Sequence, residues 1–201
     1  MIAALVLAAG LSRRMGRFKL TLPWGERTVV GQVIATLEAA GLAEIVVVTG
    51  HRADEVSAAL AGTSARCVHN AGYASGEMLG SVQTGLVAMA AGVEAALLCL
   101  GDQPQMEADT VRAVLEMGEA AGWRKIVSPS YQMRAGHPIL LPRWIWPEIL
   151  ACQGTLRDVL TVHRGQTEYL AVQTSSILAD LDTPDDYAAT DGGREDVSRQ
   201  T

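Results

Sequence analysis

Ile2-Ala3-Ala4-Leu5-Val6-Leu7-Ala8-Ala9-Gly10-Leu11-Ser12-Arg13-Arg14-Met15-Gly16-Arg17-Phe18-Lys19 opens the chain and governs the reading of the rest. Residues 2–7 form a short, uninterrupted apolar run, the pattern of a strand buried on both faces of a parallel sheet. The segment then becomes small and glycine-containing, which lets backbone amides approach a ligand and point at phosphate oxygens. Arg13, Arg14, Arg17 and Lys19 place four positive charges within seven residues. A basic, flexible turn after a first strand suits a triphosphate. Neither G-x-x-x-x-G-K-[ST] nor G-x-G-x-x-G occurs, which excludes a P-loop and the dinucleotide fingerprint. The bland alternative is an ordinary glycine-containing turn on a surface.

Outward from this stretch, strand-like and helix-like segments alternate, as in an α/β protein with a mostly parallel sheet. Val30, Val33, Ile34 and Leu37 recur at helical spacing and predict a helix over 29–40, ended by Gly41. Ile45-Val46-Val47-Val48 and Ala95 to Leu100 read as buried strands, and residues 65–69 and 125–128 as further strands. Helices are expected over 54–60, 80–90, 109–121 and 155–162. Pro138 to Leu141 is strand-like, and residues 176–181 read as a last strand. Thr155 and Thr183 are expected N-caps, with Pro184 at the first helical position.

The 201 residues suffice for one domain with a substantial core, and 49% are hydrophobic. Mean hydropathy is +0.18. Twenty-two acidic residues against 16 basic ones give a net charge of −6, which disfavours nonspecific nucleic-acid binding. The basic opening is therefore a local patch on an acidic protein. Lysine occurs only at positions 19 and 125. Cys67, Cys99 and Cys152 have no zinc or redox spacing. With no signal-peptide pattern and no apolar run of spanning length, a cytoplasmic protein without membrane contact is expected.

Ligands of open α/β sheets sit outside the carboxyl ends of the strands. Three motifs fall there: the loop after the first strand, Gly101-Asp102-Gln103-Pro104, and Asp180-Leu181-Asp182-Thr183-Pro184. A carboxylate at a strand tip is suited to a cation, and Mg²⁺ takes few protein carboxylates beside phosphate oxygens and water. Asp102 has the alternative of an Asx-turn. Asp180 and Asp182 flank Leu181 and on a strand would face the same side; Asp182 has the alternative of a helix cap.

The pattern L-A-A-G-x-S-x-R-M-G-x-x-K, carried by residues 7–19, resembles the signature of the molybdenum cofactor nucleotidyltransferases, within the wider superfamily of sugar-phosphate and isoprenoid-precursor nucleotidyltransferases. The resemblance runs in motif order from Ile2 to about Tyr187. It implies a Rossmann-like three-layer fold, with a nucleotidyltransferase domain over 1–190 and a disordered tail over 191–201. It implies transfer of a nucleotidyl group from an NTP to a phosphate-bearing acceptor, with release of pyrophosphate. Leu7, Ala8, Ala9, Gly10, Ser12, Arg14 and Lys19 would line the nucleotide, and Asp102 with Asp182 would hold Mg²⁺. Arg14, Lys19 and Asp102 would carry the chemistry. Residues 76–86 are similar to a family segment in which a serine at a helix start contacts the nucleotide; Ser81 is the matching residue, with plain N-capping as its alternative. Gly136-His137-Pro138 and the segment around Arg157 are similar to elements on the acceptor side. His137 is thereby implied in acceptor binding or else structural, and Arg157 in acceptor phosphate binding or else an ordinary surface charge.

The guanylyl branch usually shows L-A-G-G and the cytidylyl branch L-A-A-G. The methyl group of Ala9 narrows the base pocket toward a pyrimidine. The expected reaction is therefore cytidylyl transfer from CTP to the phosphate of the molybdopterin cofactor, making the dinucleotide cofactor of molybdenum hydroxylases, with transient contact to such a hydroxylase. The alternatives are a guanylyl or other NTP transferase with a different phosphorylated acceptor, and a non-catalytic carrier or maturation protein of the cofactor.

Overall fold

The computed structural model describes residues 1–75 and 77–190; the tail expected over 191–201 lies outside them. In chain order the strands and helices are β1 (Ile2–Ala8), β2 (Pro23–Trp24), β3 (Arg27–Thr28), α1 (Val29–Ala39), β4 (Glu44–Thr49), α2 (Ala53–Ala59), β5 (Ala65–His69), α3 (Met78–Ala88) and β6 (Ala95–Leu100). There follow α4 (Ala108–Ala120), β7 (Ile126–Tyr131), β8 (Arg134–Ala135), β9 (Ile139–Pro142), α5 (Trp146–Ala151), α6 (Leu156–Val162), β10 (Thr167–Ala171) and α7 (Pro184–Ala188).

The central sheet has the order β10-β7-β9-β6-β1-β4-β5. β1 pairs in parallel with both β4 and β6, β4 with β5, and β7 with β10. β9 is wedged antiparallel between β6 and β7. From β1 the chain steps outward to β4 and β5, then returns to place β6 on the other side of β1. That reversal between β1 and β6 opens a crevice at their carboxyl ends. Leu7 pairs with Leu100 across it, and the Gly101 amide donates to the Leu7 carbonyl at 2.9 Å. A Cβ on Gly101 would meet that same oxygen at 2.9 Å, so only glycine lets the strand tips approach this closely.

The uninterrupted apolar strands are explained by helices on both faces. Ala4, Val6, Val47, Leu97 and Cys99 pack on one side with Val30, Val33, Ile34 and Leu37 of α1 and Val111 and Val114 of α4. Leu5, Val46, Val48 and Leu98 pack on the other with Leu79, Val82 and Leu86 of α3 and Ile149 of α5. Each fully buried Val, Leu or Ile contributes about 1.5–3 kcal/mol relative to exposure. A third cluster joins Met15, Leu22 and Val29 to Leu181 and Tyr187. Tyr187 also donates its hydroxyl to the Pro23 carbonyl at 2.6 Å. The C-terminal segment is thereby fastened over the loop that follows β1.

The helices expected from periodicity form, with ends shifted by up to two residues. Thr155 and Thr183 each close a capping box, and Pro184 sits in the first turn of α7. One expected strand does not form, and one strand appears that the pattern did not indicate. Residues 176–181 are not a strand: Ser176–Leu178 make a 3-10 turn and the chain then runs irregularly. Its backbone groups pair with loops instead of a ladder, the Ile177 carbonyl with the His137 amide and the Leu181 amide with the Asp102 carbonyl. The last strand is β10, at the sheet edge, where Thr167-Glu168-Tyr169-Leu170-Ala171 shows neither a continuous apolar run nor a regular alternation and no residue is fully buried.

Candidate active site

A cavity of about 540 Å³ opens at the β1/β6 crevice. Its walls include Leu7 and Ala8 at the end of β1, Ala9, Gly10, Ser12, Arg14 and Lys19 from the segment that follows, and Ser81, Asp102, Asp180 and Asp182 from three others. Every residue that the sequence linked to nucleotide or metal is thus brought to one place. Ser12 takes a left-handed backbone conformation (φ 49°), and its hydroxyl accepts from the Lys19 amide at 3.3 Å. This folds the loop back on itself and turns Lys19 inward, where the residue is only 9% exposed.

The Lys19 ammonium lies against the Asp102 carboxylate and 3.2 Å from Asp182 Oδ1. Arg14 donates to the other oxygen of Asp182 at 2.8 Å. Arg14, Asp182, Lys19 and Asp102 therefore form a continuous chain of charges. A buried ammonium left unpaired would be costly, so the two carboxylates set where Lys19 rests. No neighbour in the chain is an evident partner for Asp102; the fold provides Lys19.

Asp182 is not positioned by a strand. Its amide donates to Asp186 Oδ2 at 3.1 Å, the Thr183 capping box fixes the next residue, and the Leu181 side chain is buried. Asp180 turns toward Gln103, whose Nε2 donates to Asp180 Oδ1 at 2.6 Å. Its carboxyl is held above the usual carboxylate range, chiefly by burial; the Gln103 bond opposes this and the charges of Asp102 and Asp182 reinforce it.

The oxygen-only donor set fits a hard divalent cation such as Mg²⁺ or Mn²⁺. The carboxylates of Glu77, Asp102, Asp180 and Asp182 line this cavity with three basic side chains, Arg13, Arg14 and Lys19, so acidic groups outnumber basic ones around a metal. Among the described residues no three acidic, imidazole or thiol groups form a ready-made cage. Mg²⁺ requires none when phosphate oxygens and water complete its shell.

Ser81 is not an N-cap. α3 begins at Met78 with Glu77 as its cap, so Ser81 stands inside the first turn, buried and facing the cavity. Asn70, which the sequence did not single out, donates through Nδ2 to Ser81 Oγ at 3.1 Å. Tyr73, Glu77 and Met78 complete this wall and were also missed. A lone asparagine at a strand end carries no spacing signal.

A second cavity of about 520 Å³ adjoins the first at Glu77 and Met78. His137 and Arg157 both line it, with Arg164, Tyr169 and an apolar floor of Ile126, Ile139, Leu156 and Leu160. The sequence pointed to His137 and Arg157 but not to Arg164 or Tyr169, which follow α6 and lie on β10. Burial lowers the His137 pKa to about 4, against a smaller opposing pull from Asp102, so the imidazole is neutral at pH 7. Gly136 passes so close to Ile177 that a Cβ would lie 2.2 Å from its carbonyl oxygen. His51 and His69, to which no role was given, pack around Tyr73.

Residues 4–168 match the model of the MobA-like NTP transferase domain. The chain belongs to this family. It is a nucleotidyltransferase with the Rossmann-like fold of that class. It is 28% identical to the molybdenum cofactor cytidylyltransferase of Escherichia coli K12, over 92% of this chain and 93% of that one. It is 30% identical to the nicotine blue oxidoreductase of Paenarthrobacter nicotinovorans, over 74% of each chain. Among solved structures, Rv0371c of Mycobacterium tuberculosis H37Rv superposes with a TM-score of 0.79 at 30% identity, covering 93% of this chain and 96% of that one. A second structure of that protein, at a TM-score of 0.73, is its complex with manganese, covering 92% and 95%. Among the described residues no helix is long and apolar enough to cross a membrane.

Proposed function

We propose that this nucleotidyltransferase transfers the cytidylyl group of CTP to the phosphate of the molybdopterin cofactor, with Mg²⁺ or Mn²⁺ as its metal. The observation that carries the reading is the meeting of Arg14, Lys19, Asp102 and Asp182 at the mouth of a glycine-containing loop, beside a second cavity able to seat an acceptor. The cytidylyltransferase relative supports the acceptor and the base, and Ala9 in the first cavity supports a pyrimidine.

The acceptor phosphate oxygen attacks the α-phosphorus in line; the bond to the bridging oxygen breaks and pyrophosphate leaves. No protein nucleophile is needed, so the residues position the reactants and neutralise charge. Lys19 exchanges its carboxylates for triphosphate oxygens, and Arg14 takes the exposed side of the same group. Asp102 and Asp182 would hold the metal, which supplies charge neutralisation at the phosphates. Arg157 meets the acceptor phosphate, and neutral His137 offers it a hydrogen bond without a competing charge. Water-accessible arginine is suited to this role because its planar fork matches phosphate oxygens.

The test is direct: incubate the protein with Mg²⁺, molybdenum cofactor and each NTP in turn, and follow pyrophosphate release. Release with CTP and cofactor together is expected. Release with GTP alone among the four would replace the base assignment, and no release with any NTP would overturn the reaction.

A further inference from the structure

We infer that Asn70 is the positioning residue that sets the hydrogen-bond polarity of Ser81, and through it which base the first cavity accepts. The inference rests on the first cavity being the nucleotide site.

The geometry fixes the direction of each bond in turn. Asn70 immediately follows β5, is only 7% exposed, and its backbone amide donates to the Thr49 carbonyl at 2.8 Å. Its Oδ1 accepts from the Gly72 amide at 2.9 Å. A backbone N–H can only donate, so the oxygen of the Asn70 carboxamide must face Gly72 and its NH₂ must face Ser81. Nδ2 lies 3.1 Å from Ser81 Oγ and can only donate to it. Ser81 Oγ is therefore an acceptor on that side, and its own proton must go elsewhere. Among the described residues no hydrogen bond takes that proton. Ser81 lines the same cavity as Ala9 and Tyr73. Ser81 thus presents an O–H donor to the cavity and selects a base edge with an acceptor at that point.

An aspartate at position 70 would keep the Gly72 bond and accept the Ser81 proton with its other oxygen. Ser81 would then face the cavity as an acceptor, and bases with an N–H there would be favoured. A small change at a residue that need not touch the nucleotide would thereby alter base choice. A buried polar group left unpaired by the wrong base costs more than a matched bond gains, which makes such polarity a strong filter.

The test measures binding and single-turnover kcat/KM for the four NTPs with Mg²⁺, in the wild type, Asn70→Asp, Ser81→Ala and the double variant. Circular dichroism and thermal melting establish that each is folded. Ser81→Ala is expected to weaken the preferred NTP by about tenfold and to flatten the preference among bases. Asn70→Asp is expected to change the rank order of the bases, by about tenfold in the ratio of the two most affected. In the Ser81→Ala background, Asn70→Asp should leave the base ratios unchanged, because the residue through which it acts is gone. If Asn70→Asp does not fold, Asn70→Ser and Asn70→Ala replace it, and both should lower base discrimination with KM rising more than kcat falls. Base ratios within twofold of wild type in folded Ser81→Ala, or in all folded Asn70 variants, overturn the inference while leaving the nucleotide site standing. Failure of the wild type to bind any NTP overturns both.

Discussion

The first cavity is walled by ionisable groups held in a continuous chain of ion pairs, whereas the second, reached past Glu77 and Met78, has an apolar floor with Arg157, Arg164 and His137 around it. In the first, residues 7–19 supply much of one wall, so the spacing of a motif encodes the geometry. In the second, residues 154–164 around α6 supply the largest share, and the rest comes from α3, β7, the loop before β9 and β10, so no single motif spans it. Electrostatic work is thus concentrated in the first cavity. Charge neutralisation needs fixed groups at fixed places, while an acceptor platform needs mainly shape and a few anchors.

If that division holds, the largest effect belongs to the first cavity. Asp102→Asn should lower turnover by on the order of a thousandfold or more, because it removes the charge of a proposed metal ligand and one of the two carboxylate partners of Lys19. Near-normal turnover in a folded variant would take Asp102 out of the machinery. Lys19→Ala should lower kcat/KM by about tenfold to a thousandfold, as expected for a loss of about 1.4–4 kcal/mol. Lys125→Ala provides the internal control and should do little, since those two are the chain's only lysines. Equal, small effects in single-turnover kinetics would mean that the first loop does not hold the triphosphate.

The second cavity should respond through shape and through acid. Gly136→Ala drives a Cβ against the Ile177 carbonyl and should cost about 1–3 kcal/mol, seen as a fall in Tm of several degrees. NTP binding should survive it better than acceptor use does; equal loss of both would show the two cavities to be mechanically one. His137 has a folded pKa of about 4, below its ordinary value near 6.5. Below pH 6.5 the unfolded chain binds a proton that the folded one refuses. The stability from neutral His137 is therefore complete above about pH 6.5 and is lost as the pH falls toward 4, by roughly 1–3 kcal/mol. Denaturant midpoints measured across that range should show a shallower slope in His137→Gln. An unchanged slope would place the acid sensitivity in other groups.

The smallest effect sharpens the contrast within the first cavity. Ala9→Gly removes one methyl group beside Gly50 and Tyr73, and should relax the preference for CTP over GTP by about tenfold without improving CTP use. A wild type that already favours GTP would refute the pyrimidine assignment whatever the variant does.

The alternating fold was legible from local pattern, because buried parallel strands must be apolar throughout and flanking helices must repeat every three or four residues. The loop from Leu7 to Lys19, the strand tip at Asp102 and both threonine caps were legible in the same way, since each depends on neighbours in the chain. Tertiary structure alone decided that Lys19 would rest between Asp102 and Asp182, which lie more than 80 residues beyond it. It decided too that residues 176–181 would cross the strand ends with their backbone bonded to loops, and that Asn70 would meet Ser81. Such pairings cannot be read from local pattern, because a buried donor or charge takes whichever partner the packed layers bring within reach.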